Sequence, residues 1–111
     1  MEPNAYTPKA ISMIASATAA AVPGVAALGA TLSEAAAKKI GHASPTQGVE
    51  AIVVEDTVEL TIRLVVQYGY RIPDVALHVQ KSVKDTVEEK TGCDVTAVHI
   101  LIQGVTYDTS S

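Results

Sequence analysis

The sequence predicts an α+β domain in which two main helices pack on one face of a largely antiparallel sheet of about four strands. The expected element order is helix, strand, short helix, strand, strand, helix, strand. Three observations carry this prediction. The stretches after Pro8 and Pro73 place apolar residues at three- and four-residue steps, the stretches from Val49 to Tyr68 and from Val95 to Val105 alternate with period two, and 111 residues are enough for one core of two packed layers. The domain is therefore expected over residues 8–107, with an N-terminal tail at 1–7 and a C-terminal tail at 108–111.

In the first helix Thr7 is placed as N-cap and Pro8 at the first helical position, with Ile11, Ile14, Ala15, Thr18 and Val22 along one stripe. Pro23-Gly24 stops it. No residue from Ala10 to Ser33 is charged, and Lys9 before this run gives a superficial look of a secretory signal. The run is mostly alanine, Glu2 places a negative charge where a basic leader belongs, and Pro23-Gly24 cuts it too short to span a bilayer. Val25 to Ala30 reads as a short strand. Thr31-Leu32-Ser33-Glu34 then has capping-box spacing ahead of a short helix from Ala35 to Ile40, ended by Gly41. Residues 41–48, with Pro, Ser, Thr, Gln and two Gly, read as a flexible loop.

From Val49 to Val54 a strand leads through Glu55-Asp56 into a second one, which makes a hairpin on a turn pair that is not the preferred one. The second strand puts Val58, Leu60, Ile62, Leu64, Val66 and Tyr68 on one face and Thr57, Glu59, Thr61, Arg63 and Gln67 on the other. Pro73 then opens a helix with Ile72, Val75, Ala76, Val79, Val83 and Val87 inward, and Gly92 closes it. Its outer face, with Asp74, His78, Lys81, Lys84, Asp85, Glu88 and Glu89, is mixed in sign and solvated. The last strand alternates Val98, Ile100 and Ile102 with Ala97, His99, Leu101 and Gln103.

A search for chemistry along the chain finds none assembled. Eight Lys and Arg against twelve Asp and Glu give a formal charge of −4, and the four aromatic residues are all Tyr. That balance counts against a nucleic-acid surface, which needs clustered cations and stacking rings. The segment from Gly24 to Thr31 has the glycine spacing of a phosphate loop, but Ala30 stands where its lysine belongs, and no G-x-G-x-x-G exists. Asp74 and His78 are four apart on a helix and read as a solvated pair rather than metal ligands. His42, His78 and His99 have no ligand spacing, and no cofactor or metal is expected. Cys93, the single cysteine, lies between helix and strand as a small apolar joint residue and suits a reducing compartment. Glu55 and Asp56 are a turn and not a catalytic pair. What remains is an apolar row on the sheet face away from the helices: Val65, Ala97, Leu101 and Val105, expected to form a contact surface for a second copy or another protein.

Ile14-Ala15 with Val22-Pro23-Gly24-Val25, Gly48-Val49, Val66-Gln67-Tyr68-Gly69, Ile72-Pro73-Asp74-Val75, Val79-Gln80, Val83, Val87, Thr91-Gly92 and the closing Val95, Val98 and Gly104-Val105 together resemble the alkaline shock protein family. This is the envelope stress response family typical of Gram-positive bacteria, and the resemblance runs from about Pro8 to Tyr107. It implies a non-enzymatic cytoplasmic protein that self-associates and is held near the inner face of the membrane, often through a separate membrane-anchored partner, in cell-envelope homeostasis. It supplies no catalytic residue to carry over. His99 departs from the small polar residue common in the family at its position, and the connection from Ala35 to Gln47 is a region of variable length. Both departures bear on partner identity and not on the fold. The expected function is thus a scaffold or adaptor that forms homo-oligomers through the open sheet face and strand edges, without catalysis, nucleic acid or membrane insertion of its own; the rival is a small RNA-binding module of α+β type, which the acidic charge and the missing G-x-x-G clamp disfavour.

Overall fold

A computed structural model of the chain describes residues 7–29 and 48–107. In it helix α1 spans Pro8–Ala20, followed by strands β1 (Val25–Leu28), β2 (Val49–Val54) and β3 (Thr57–Gln67), helix α2 (Ile72–Thr91) and strand β4 (Asp94–Thr106). The expected short helix at 35–40, the loop at 41–47 and both tails apart from Thr7 lie outside the described residues.

Helix α1 starts as its sequence dictates: Thr7 Oγ1 accepts the Ala10 N–H at 3.0 Å, and Pro8 occupies the first turn, where a missing N–H costs nothing. Its buried line is Ile11, Ala15 and Ala19, continued by Val22. Ile14 and Thr18, expected on the stripe, are half-buried flanks, and Thr18 Oγ1 turns back to donate to the Ile14 carbonyl. Helix α2 buries Val75, Val79, Val83 and Val87 at strict four-residue steps. Asp74 in its first turn and Lys90 in its last complement the helix dipole, and Gly92 ends it in the left-handed conformation, with φ +77°.

The long strand β3 organises the sheet. Its Val58, Leu60, Ile62, Leu64 and Val66 are all fully buried beneath the helices, as the alternation predicts. Tyr68 leaves that row: it lies past the end of β3, exposed, with its ring 4.6 Å from that of Tyr107. Along one edge β3 takes two antiparallel neighbours end to end, β2 against Thr57–Ile62 and β1 against Leu64–Val66. The change of neighbour falls at Arg63, whose N–H donates to the Gly48 carbonyl and whose carbonyl accepts from the Gly29 N–H. Glu55 adopts φ +55° in the β2–β3 turn, so the unfavoured Glu-Asp pair makes a hairpin at the expense of one left-handed residue.

Along its whole other edge β3 pairs with β4, and this pairing is parallel. A parallel neighbour requires a crossover, which α2 provides. Two of the three pairings are antiparallel, so the sheet is largely of the expected kind, with a β-α-β unit at one side. The helices cover a single face: α1 lies over β1 and β2 and packs on α2, which lies over β4.

Candidate functional site

The helix-free face is built from the odd-numbered residues of β3 and whatever its neighbours place beside them. Register puts Val54 beside Thr57, Ile52 beside Glu59, Ala97 beside Glu59 from the other side, and Leu101 beside Arg63. Val65 is flanked by Ala27 and Gly104. The face therefore carries Val65, Ala97 and Leu101, as expected, together with Ile52 and Val54, each 59% exposed, which sequence reasoning left out. These β2 residues were within reach of the same alternation, since Val49, Ala51 and Val53 pair with the buried row of β3 and leave Ile52 and Val54 outward. Polar groups divide the aliphatic ones; His99 Nε2 and Glu59 Oε2 lie 2.8 Å apart across the two strands.

Val105 does not join this row. Between Leu64 and Val65 of β3 the ladder to β4 shifts by a residue, so that Val65 faces Gly104 and Val66 faces Val105. The extra residue, Gln103, reverses the alternation, and Val105 emerges on the side of Val66 rather than of Leu101. It is 42% exposed there, near the end of the sheet where Tyr68 and Tyr107 stack. Gly104 inside a strand pattern is the sequence signal that marks such a bulge.

Some of the segments behind the family resemblance meet at that same end. The Gln67 N–H donates to the Gly24 carbonyl at 2.8 Å and the Tyr68 N–H to the Thr106 carbonyl at 2.8 Å, so the turn after α1, the end of β3 and the end of β4 are tied together. Tyr70 and Val75 press on Gly24.

At the opposite end α2 reaches the outer edge of β4. Gln80 Nε2 donates to the Val98 carbonyl at 2.9 Å, and Glu88 Oε2 accepts the Val95 N–H at 3.0 Å. Glu88 also accepts from Lys84 Nζ at 2.8 Å. The Lys84 hydrogen bond first, and the Val95 N–H second, hold the Glu88 carboxyl below the ordinary glutamate value; Glu88 in turn raises Lys84. Asp74, expected beside His78, instead pairs with Arg71 at 3.5 Å, with both side chains in solvent. Cys93 is buried at the joint between α2 and β4. Among the described residues no three His, Cys, Asp or Glu side chains come together as a metal-holding group, and no helix is long and apolar enough to cross a membrane.

Residues 3–107 match the model of the alkaline shock protein family, which is described as having a cell envelope-related function. The chain belongs to the alkaline shock protein family. Among similar proteins, the uncharacterised YqhY of Bacillus subtilis is 28% identical over 104 residues, which is 94% of this chain and 77% of that protein. YloU of the same organism is 35% identical over 60 residues, 54% of this chain and 50% of its own length. Among solved structures, a MamM CTD variant in its manganese form aligns with a TM-score of 0.51 at 16% identity, over 86% of this chain and 96% of that one. Another in its zinc form reaches 0.53 at 16% identity, over 92% and 91%. At that identity the likeness is one of fold. This alkaline shock family chain thus brings Gly24, Gln67 and Val75 of its resemblance motifs together at one end of the sheet and spreads its open aliphatic positions across the helix-free face.

Proposed function

We propose that the chain is a non-enzymatic scaffold or adaptor of the cell envelope, which self-associates through its open sheet and is held at the cytoplasmic face of the membrane by a membrane-anchored protein. The observation that carries this reading is the helix-free face. Ile52, Val54, Val65 and Leu101 stand on a sheet surface that α1 and α2 leave uncovered, where one-sided sheets ordinarily present polar residues. The cell envelope-related function of the family gives the setting. Attachment through a separate anchored protein is the mode that the family resemblance implies, and the same open face is the surface on which such a partner would dock.

Light scattering coupled to size-exclusion chromatography, run over a concentration series, tests self-association. A mass that rises with concentration is expected, and Leu101→Glu, which places a charge on the open face, should lower it while leaving the circular dichroism spectrum intact. A parent protein that stays monomeric at every concentration would overturn the scaffold reading.

A further inference from the structure

The outer edge of β4 is half closed and half open, and the division follows from the path of α2. The helix begins near β1, where Val75 presses on Gly24, and descends diagonally until Gln80 and Glu88 overhang the start of β4. There it satisfies the Val95 N–H and the Val98 carbonyl. Among the described residues no α2 side chain hydrogen-bonds the β4 backbone beyond Val98. Because the Val98 carbonyl points away from β3, strand alternation turns the N–H and C=O groups of Ile100 and Ile102 the same way. Among the described residues β4 has one strand neighbour, β3.

An open edge is a template for another strand, and proteins ordinarily blunt it with Lys, Pro or an inward charge. From Val95 to Thr106 the sequence has no Lys, Arg, Asp, Glu or Pro. The opposite edge differs: it is broken between β1 and β2 at Arg63, and β2 carries Glu50. The stretch is also complementary to itself. Reversed about Leu101, it sets Ile100 against Ile102, His99 against Gln103 and Leu101 against Leu101, with no like charges opposed.

We infer that the occupant of this edge is a second copy of the chain, paired antiparallel through the two β4 strands about a two-fold axis at Leu101. The inference deepens the self-association proposed above and rests on it. Ile100 and Ile102 of the two copies form hydrogen-bonded pairs, each exchanging both of its N–H···O=C bonds, and the two Leu101 side chains meet in a non-hydrogen-bonded pair on the helix-free face. The ladder stops at Val98, whose carbonyl Gln80 already occupies, and at the bulge of Gln103. The two sheets become one continuous sheet with its helices on a common side.

Cysteine cross-linking of the folded full chain tests this arrangement. In a non-hydrogen-bonded antiparallel pair the Cα atoms are about 4.5 Å apart, inside the range a disulfide bridges. Oxidation of Leu101→Cys with diamide should convert the monomer band to a covalent dimer on a non-reducing gel. Val54→Cys is the control: it lies on the same face, is more exposed at 59% against 42%, and sits on the far strand. It should stay monomeric under the same oxidation. Cross-linking at Val54 as fast as at Leu101 would mean collision or face-to-face packing, and would overturn edge pairing. An oligomeric parent whose Leu101→Cys variant does not cross-link overturns the edge and leaves self-association standing. A parent that is monomeric by light scattering overturns both.

Discussion

Replacing Gly24 by alanine tests how the turn after α1 is fitted beneath α2. Gly24 has φ +96°, a conformation that costs an L-residue about 1–3 kcal/mol. A β-carbon there would also stand 2.7 Å from Val75 Cγ2 and 2.8 Å from Tyr70 Cδ2, closer than carbon atoms approach. Forcing a methyl into such a space costs about 1–3 kcal/mol more, so Gly24→Ala should lose about 2–6 kcal/mol. Gly69 provides the comparison. Its φ is +103°, yet a β-carbon built on it meets nothing within 4 Å. Gly69→Ala therefore bears the backbone cost alone; the gain of about 0.4–1 kcal/mol from alanine's smaller freedom in the unfolded chain is common to both variants and cancels between them. The difference between the two variants isolates the contact with Tyr70 and Val75. Urea unfolding of both beside the parent measures it, and with a slope of about 1–2 kcal/mol/M the Gly24 variant should unfold at least about 0.5 M earlier. Equal midpoints would show that Tyr70 and Val75 move aside at no cost, and the argument for a tightly seated turn would fail.

Two further changes probe α2. Val79→Asp inserts a charge among fully buried residues of the helix–sheet layer and should cost at least about 3 kcal/mol; a melting temperature close to the parent's would contradict the burial of that helix face. Glu88→Gln keeps an acceptor for the Val95 N–H but removes the charge that pairs with Lys84. The carboxyl is depressed in the folded state, so its stabilisation is present above the unfolded glutamate value and is lost as pH falls through the lower folded one. The raised Lys84 describes the same pair from the alkaline side, where the contribution disappears as pH rises through the folded lysine value. Urea midpoints measured from about pH 6 to pH 3 should fall less for the variant than for the parent. Parallel falls would remove Glu88 from the acid response.

The parts of the fold that a single segment determines could be read from the sequence. Thr7-Pro8, the four-residue spacing from Val75 to Val87, Gly92 and the alternation from Val58 to Val66 each act within a few residues, and each stands where periodicity or capping places it. Features set by two distant segments were not legible. The parallel pairing of β3 with β4 depends on where α2 returns the chain, and the change of neighbour at Arg63 depends on Gly29 and Gly48, far apart in sequence, both meeting it. Val105 shows the mixed case. Its parity was correct for an unbroken strand, and one inserted residue moved it to the other side. Some of the resemblance motifs have a physical reason in turn: Gly24 is far in sequence from Gln67 and Val75 and in contact with both in space.

The open half of the β4 edge is a choice of sequence and not a consequence of the fold. A β-α-β crossover must pass its helix over the second strand, but a helix that starts beside Gly24 and ends at the foot of β4 shields the strand's outer groups only from about its middle, at Gln80, onward. The remainder could be closed without altering the architecture. Gln103 and His99 are exposed, and a lysine at either would blunt the edge at small cost to the core. The chain instead places Ile100, Leu101 and Ile102 between His99 and Gln103, next to a helix segment whose Gln80 and Glu88 do close the adjoining stretch. Protection of one half and exposure of the other, along a single strand, is the pattern expected when pairing is confined to one register.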